Sequence, residues 1–335
     1  MGDFRAKAVR VLRSRGFLCV LLCAAFLLRA GRAFSAGDAQ RFWDSDSYIT
    51  IADNLIVGEG FVWGDQVAGR PPLYPLLVAA ARVTLPGGRF LALYLVQAAL
   101  GTLAVVFFWL STRRLLGEAA AGIAALILAV YPFHIFYVGT VLSETLFIFL
   151  LSAVFILLVK AIEDGSLAAA AGCGLACGAA YLTRPSVLGL VVIFAALAAW
   201  RVRGAARGLV SAALMLGVAF LTVLPWGIRN KALTGHFIIS TSGVGASLYD
   251  GLGPQADGSS DMSFLNTMNE LEEMGEIERD RYLRHEALEA AVDSPLRAAR
   301  LAAVKAYRFW APVPNSPSFR SPCLPSPMLA PCADR

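Results

Sequence analysis

Seven largely apolar stretches constrain this chain most, near residues 16–35, 89–111, 119–138, 143–160, 167–183, 186–200 and 208–226. A helix needs roughly 20 such residues to cross bilayer hydrocarbon, where no water is at hand for an unpaired amide or carbonyl. Of the 335 residues, 57% are hydrophobic and 16% charged, against about 25% charged in soluble domains. The fold class this defines is an all-α, polytopic helical bundle of about seven spans. The net charge of +5 does not point to nucleic acid, because the basic residues fall in short clusters between apolar runs.

Those clusters set an orientation. Arg5, Lys7, Arg10, Arg13 and Arg15 precede the run from Phe17 to Leu28, and no small-x-small cleavage site follows, so the first stretch reads as an uncleaved helix. Basic residues recur after the second stretch (Arg113, Arg114), the fourth (Lys160) and the sixth (Arg201, Arg203, Arg207). The positive-inside rule then places the N-terminus in the cytoplasm of a cell whose inner membrane the chain crosses. Segment 36–88, the turns at 139–142 and 184–185, and everything after Trp226 are expected outside.

The outer pieces have character of their own. Residues 47–57 are amphipathic at helical spacing, and 73–85 is apolar and closes on Pro86-Gly87-Gly88. Both suit helices lying in the membrane interface. The expected division is a transmembrane domain over residues 1–226, an extracytoplasmic segment 227–311, and a disordered tail 312–335 carrying seven prolines and two cysteines. Within the extracytoplasmic segment, 239–248 reads as a loop with strand character, and 262–310 as helices, the last a basic amphipathic one opened by Pro295. Cys19/Cys23 and Cys173/Cys177 lie within apolar spans at i,i+4 spacing, as small packing residues would. Gly174 and Gly178 form a small-xxx-small face for helix packing.

Ionisable groups cluster at the outer boundary, where they are costly unless solvated, paired or working. Asp44 and Asp46 follow the first span. A carboxylate there serves as a general base, as a ligand for a divalent cation, or as a plain helix cap. Arg70-Pro71-Pro72 joins a cation to a stiff backbone, fit either for a phosphate or for snorkelling to the interface. Ser143-Glu144 opens the fourth span, where a cap and a dipole-facing acid compete with a chemical role. Arg184-Pro185 joins two spans with almost no loop. Pro225-Trp226 followed by Arg229-Asn230 reads as an aromatic belt with an anchoring arginine. No His/Cys ligand spacing, P-loop or dinucleotide fingerprint is present.

In order, Asp44-x-x-x-Tyr48, Ala52, Asn54-Leu55, Gly58-x-Gly60-Phe61, Arg70-Pro71-Pro72-Leu73-Tyr74-Pro75, Ser143-Glu144, Leu182-Thr183-Arg184-Pro185 and Pro225-Trp226-x-x-Arg229-Asn230 resemble the GT-C glycosyltransferases. The bacterial branch related to protein mannosyltransferases and the lipid A aminoarabinose transferase is the nearest in look, from about residue 10 to 314. The resemblance implies inverting transfer of a sugar from a polyprenyl-phosphate donor to a lipid, glycan or protein acceptor on the outer face. It implies Asp44, Asp46 and Glu144 as catalytic acids, with Asp44 and Glu144 also as ligands for a divalent metal. Arg70, Arg184 and Arg229 would bind the donor phosphate. Relatives carry Asp-Glu where this chain has Asp44-Ser45-Asp46, which leaves either aspartate as the key acid. Relatives also continue into further spans where this chain enters its Pro/Cys-rich tail, the pattern of a C-terminally truncated form. A flippase of lipid-linked saccharide is the rival reading, and an inactive fragment a third. A flippase would place its charges deeper, along a midplane cavity.

Overall fold

The computed structural model describes residues 14–37, 42–85 and 90–310. The basic residues Arg5 to Arg13, the Pro86-Gly87-Gly88 stop and the tail with Cys323 and Cys332 lie outside the described residues. The chain divides into two compact units, Met1–Thr241 and Ser242–Arg335.

The first unit is built from helices α1 (Arg15–Ser35), α2 (Trp43–Val57), α3 (Leu73–Thr84), α4 (Leu91–Leu116), α5 (Glu118–Val130), α6 (Pro132–Phe136), α7 (Glu144–Glu163), α8 (Leu167–Tyr181), α9 (Leu188–Arg201) and α10 (Ala205–Thr234). Each apolar stretch of the sequence is therefore helical. Four of them, α1, α4, α7 and α10, are long and apolar enough to cross a membrane, and a fifth is if α5 and α6 together make one bent span. Helices α8 and α9 are shorter, so length and composition alone support four or five crossings rather than seven. Helix α10 also runs on past Trp226, through Pro225, to Thr234. The two segments expected in the interface form helices α2 and α3.

The break between α5 and α6 has an identifiable cause. Pro132 has no amide to offer the Leu128 carbonyl, and the two helices meet at a bend of 51°. The carbonyls left behind are taken by Arg29, fully buried on α1. Its Nη1 donates to Ala129 O (3.0 Å) and its Nη2 to Leu128 O (3.1 Å). Nη2 also lies 2.8 Å from His134 Nδ1, which must accept because a guanidinium has only donors.

The long helices have two distinct ends. At one, Arg114 at the close of α4 pairs with Glu163 (3.2 Å) and Asp164 (3.0 Å), and Arg207 Nε donates to Gly165 O (2.8 Å). The regions that follow the second, fourth and sixth stretches thus gather on one side of the bundle. At the other end of α4, which at 26 residues spans about 39 Å, Gln97 Nε2 donates to Val138 O and Thr140 O, both at 2.9 Å. There Ser45 Oγ donates to Val141 O (3.0 Å) and Leu73 N to Leu182 O (3.0 Å).

Helices α7 to α10 share an apolar core that includes Cys173 and Cys177. Both are buried free thiols, whereas Cys19 and Cys23 are free and exposed. Helices α8 and α10 approach most closely at the expected glycine face. A methyl group on Gly174 would sit 2.5 Å from Met215 O, and one on Gly178 2.6 Å from Thr222 Cβ.

The second unit holds α11 (Val244–Leu252), α12 (Phe264–Thr267), α13 (Glu276–Asp293) and α14 (Pro295–Phe309). The expected strand character at 239–248 is not found: Val244 onward is helix, and among the described residues the β-type pairing is an isolated bridge, Trp63 with Gln66. Tertiary packing decides the matter. Gly245 lies so close to α13 that an added Cβ would meet Asp280 O at 2.0 Å, and its amide donates to Asp280 Oδ1 (2.5 Å).

Gly178→Val should overpack the α8–α10 seam. The expected loss is about 1–3 kcal/mol, read as a lower melting temperature of the detergent-solubilised protein, with Gly189→Val, which meets open space, as the matched control.

Candidate active site

The sequence motifs expected to share a face do so, at the end of the first unit marked by Gln97, Val141 and Leu182. Their positions follow from local structure. Helix α2 starts because Ser45 Oγ accepts from the Phe42 amide (3.1 Å) while donating to Val141 O. That puts Asp44 and Asp46 in its first turn. The helix stops at Gly58, whose φ of +87° is left-handed backbone, with Glu59 N bonded to Asn54 O (2.8 Å). The chain then doubles back over 58–72, and Pro71-Pro72 leads Arg70 into α3.

Asp44 Oδ1 and Arg70 Nη2 form an ion pair of 2.8 Å. The Arg70 guanidinium also lies over the rings of Trp63 (5.3 Å) and Tyr48 (5.6 Å). A second pair, Glu144 Oε1 with Arg184 Nη2 at 2.9 Å, stands at the head of α7. Both pairs are only part-exposed, with Arg70 and Glu144 the more buried members at 20% and 19% of their side-chain surface. Ser143 occupies the N-cap position of α7, but its hydroxyl makes no capping bond. Its dihedrals (−76°, −5°) are already helical, whereas a capping side chain needs the extended backbone that turns it onto the following amides. Glu144 is thus held from the side by Arg184.

Tyr48 joins the two pairs. Burial raises its hydroxyl above the usual tyrosine range, and the charges of Arg70, Asp44 and Arg184 all act on it, with Ser143 beside it. Its ring packs edge-on against Tyr74 (4.9 Å). The Tyr74 hydroxyl, pushed well up by burial, donates to Gln97 Oε1 (3.1 Å). Sequence reasoning gave no role to Gln97. The available signal was a carboxamide inside an otherwise apolar span.

Arg229 is placed differently from Arg70 and Arg184. Its Nη1 donates to Val67 O and to Asn230 Oδ1 (2.9 Å), and its Nη2 to Phe61 O (2.9 Å). The guanidinium stacks over Trp226 (4.6 Å) and Phe61 (5.3 Å). It ties the 61–67 loop to α10. Asp46 is exposed, two positions beyond Asp44 on α2.

Several buried polar atoms of the site make no hydrogen bond within the protein. They are Glu144 Oε2, Arg70 Nε and Thr145 Oγ1. Buried polar atoms are nearly always paired, so a cluster of spare ones at two ion pairs is a place for a polar ligand.

The geometry offers little to a divalent cation. Asp44 and Glu144 each face a guanidinium, and among the described residues the one set of three potential ligand side chains within reach of each other is His285, Glu286 and Glu289 on α13, in the other unit.

Residues 69–228 match the family model of the dolichyl-phosphate-mannose-protein mannosyltransferases. The matched segment takes in Arg70, Glu144, Arg184 and Gln97, and ends one residue before Arg229. Over it the chain is similar to a family of membrane glycosyltransferases, consistent with the GT-C resemblance of its motifs. No curated protein matches the chain.

Gln97→Leu should strand the Val138 and Thr140 carbonyls and the Tyr74 hydroxyl. Each buried group left unpaired costs about 1–3 kcal/mol, so the variant should melt well below the wild type. Equal melting temperatures for Gln97→Leu and wild type would show that the 138–140 turn is held by other contacts.

Proposed function

We propose that this protein is a glycosyltransferase that moves a sugar from a polyprenyl-phosphate carrier to an acceptor hydroxyl on the outer side of the membrane. The observation that carries the reading is the pairing Asp44–Arg70 and Glu144–Arg184 around Tyr48, with polar atoms to spare, on a segment similar to membrane mannosyltransferases.

The chemistry suits those groups. In an inverting displacement the acceptor oxygen forms a bond to the anomeric carbon as the bond from that carbon to the phosphate oxygen breaks. The electron pair of the broken bond stays on the lipid phosphate, and Arg70 and Arg184 supply positive charge where this negative charge grows. The proton of the acceptor hydroxyl goes to a carboxylate, Asp44 in our assignment, with Asp46 the alternative on the same turn. Glu144, whose Oε2 lacks a partner, orients the acceptor or the sugar. Arg229 shapes the 61–67 loop over the site and contributes positive potential to the phosphate from there.

The side of the membrane follows from the basic exits. A cysteine at Glu59 or Ser186, in a cysteine-free background, should react with an impermeant thiol reagent added outside intact cells, and one at Arg203 only after the membrane is opened. Labelling of positions 59 and 203 from the same side would overturn the orientation.

In membranes supplied with polyprenyl-phosphate sugar, Asp44→Asn should abolish transfer while leaving insertion and expression intact. Turnover at the wild-type rate would reject Asp44 as the base and move the role to Asp46. Arg70→Ala should raise the donor concentration needed for half-maximal rate about ten- to a hundredfold, the loss of a charge-assisted contact of about 1.5–3 kcal/mol. The acceptor requirement should hardly change.

A further inference from the structure

Helix α14 is amphipathic in the reverse sense. Its inward face is the charged one. Arg297 donates through Nη1 to Leu252 O (3.2 Å) and through Nη2 to Pro254 O (2.9 Å) and Ala256 O (3.1 Å). Lys305 Nζ donates to Gly251 O (3.1 Å), and Arg308 approaches Asp257 at 4.0 Å. Its inward apolar residues are few: Leu301, at 5% exposure, and the part-buried Val304, which lies against Gly258. The opposite face, at i, i+3, i+7, i+11 and i+14, reads Leu296, Ala299, Ala303, Tyr307 and Trp310 and holds no charge. It is open: Leu296 is 84% exposed, Tyr307 76% and Trp310 81%. Arg300 stands at its edge.

A soluble helix turns such a stripe to its core. A helix that spends its cations on carbonyls within its own unit and keeps its apolar stripe outside is built for a non-aqueous neighbour. We propose that this face of α14 lies in the lipid interface, with the helix axis along the membrane plane. Three observations name lipid as the neighbour. The unit starts at Ser242, only residues 235–241 beyond α10, a helix long and apolar enough to cross a membrane, so a bilayer is always within its reach. Tyr307, Phe309 and Trp310 form an aromatic end of the belt type found at headgroup level. Arg300 sits where a long cationic chain can reach lipid phosphates from the edge of an apolar stripe. This inference does not depend on the reaction assigned to the first unit.

The test uses the full chain, without its native cysteines, reconstituted into phosphatidylcholine–phosphatidylglycerol vesicles. An environment-sensitive fluorophore is attached through Ala299→Cys or Ala303→Cys, with Glu289→Cys on α13 as the aqueous control. Both α14 positions should emit further to the blue than position 289. Nitroxides near the head of the acyl chain should quench them most, matching a depth of about 5–10 Å, and aqueous iodide should quench only position 289. Three results would overturn the proposal. In one, iodide quenches position 303 as strongly as position 289. In another, lipid nitroxides have no effect on position 303 while disulfides form between copies through it, which makes the occupant a second molecule. In the third, lipid nitroxides have no effect and deletion of residues 311–335 opens the position to iodide, which makes the tail the cover.

Discussion

The bend at Pro132 depends on one guanidinium. Hydrocarbon has no water to satisfy a carbonyl released from a helix, and each such group left bare is costly. Arg29 reaches from α1 to the Leu128 and Ala129 carbonyls and to His134, and so lets α5 end within the bundle. The bend aims residues 132–139 at the turn that precedes Glu144. Gln97 and Ser45 then hold that turn by the carbonyls of Val138, Thr140 and Val141. The head of α7 is placed by side chains from α1, α2 and α4 as much as by its own sequence.

The candidate site inherits this order. Each acid is met by an arginine from a different element: Asp44 of α2 by Arg70 before α3, and Glu144 of α7 by Arg184 after α8. The backbone bond from Leu73 to Leu182 locks the two arginine-bearing segments to one another, which fixes the spacing of the two cations more tightly than their side chains would. Tyr48, buried between them, cannot move without disturbing both.

Much of this was legible in the sequence. Apolar length gave the long helices and α3, amphipathic spacing gave α2, and the basic exits grouped the regions after the second, fourth and sixth stretches on one side. Pattern could not give the extent of α10, because Pro225 reads as a stop and is accommodated within the helix. Nor could it give the fate of 239–248, where a turn-rich stretch read as a loop with strand character and a close approach to α13 accompanies a helix from Val244. Arg29 and Gln97 were visible as polar residues in apolar runs, the usual mark of a buried role. Their partners are carbonyls, and a carbonyl leaves no trace in a sequence. For the same reason the sequence could not show that Arg229 donates to the carbonyls of Phe61 and Val67 and to Asn230 Oδ1.

The seam between α8 and α10 has a consequence for traffic within the bilayer. At Gly174 and Gly178 the two helices approach so closely that not even a methyl group fits between them. A lipid tail is far wider than a methyl group, so that wall of the bundle is closed to lateral diffusion. Any long-chain molecule entering the bundle from the bilayer has to slide in elsewhere along the perimeter.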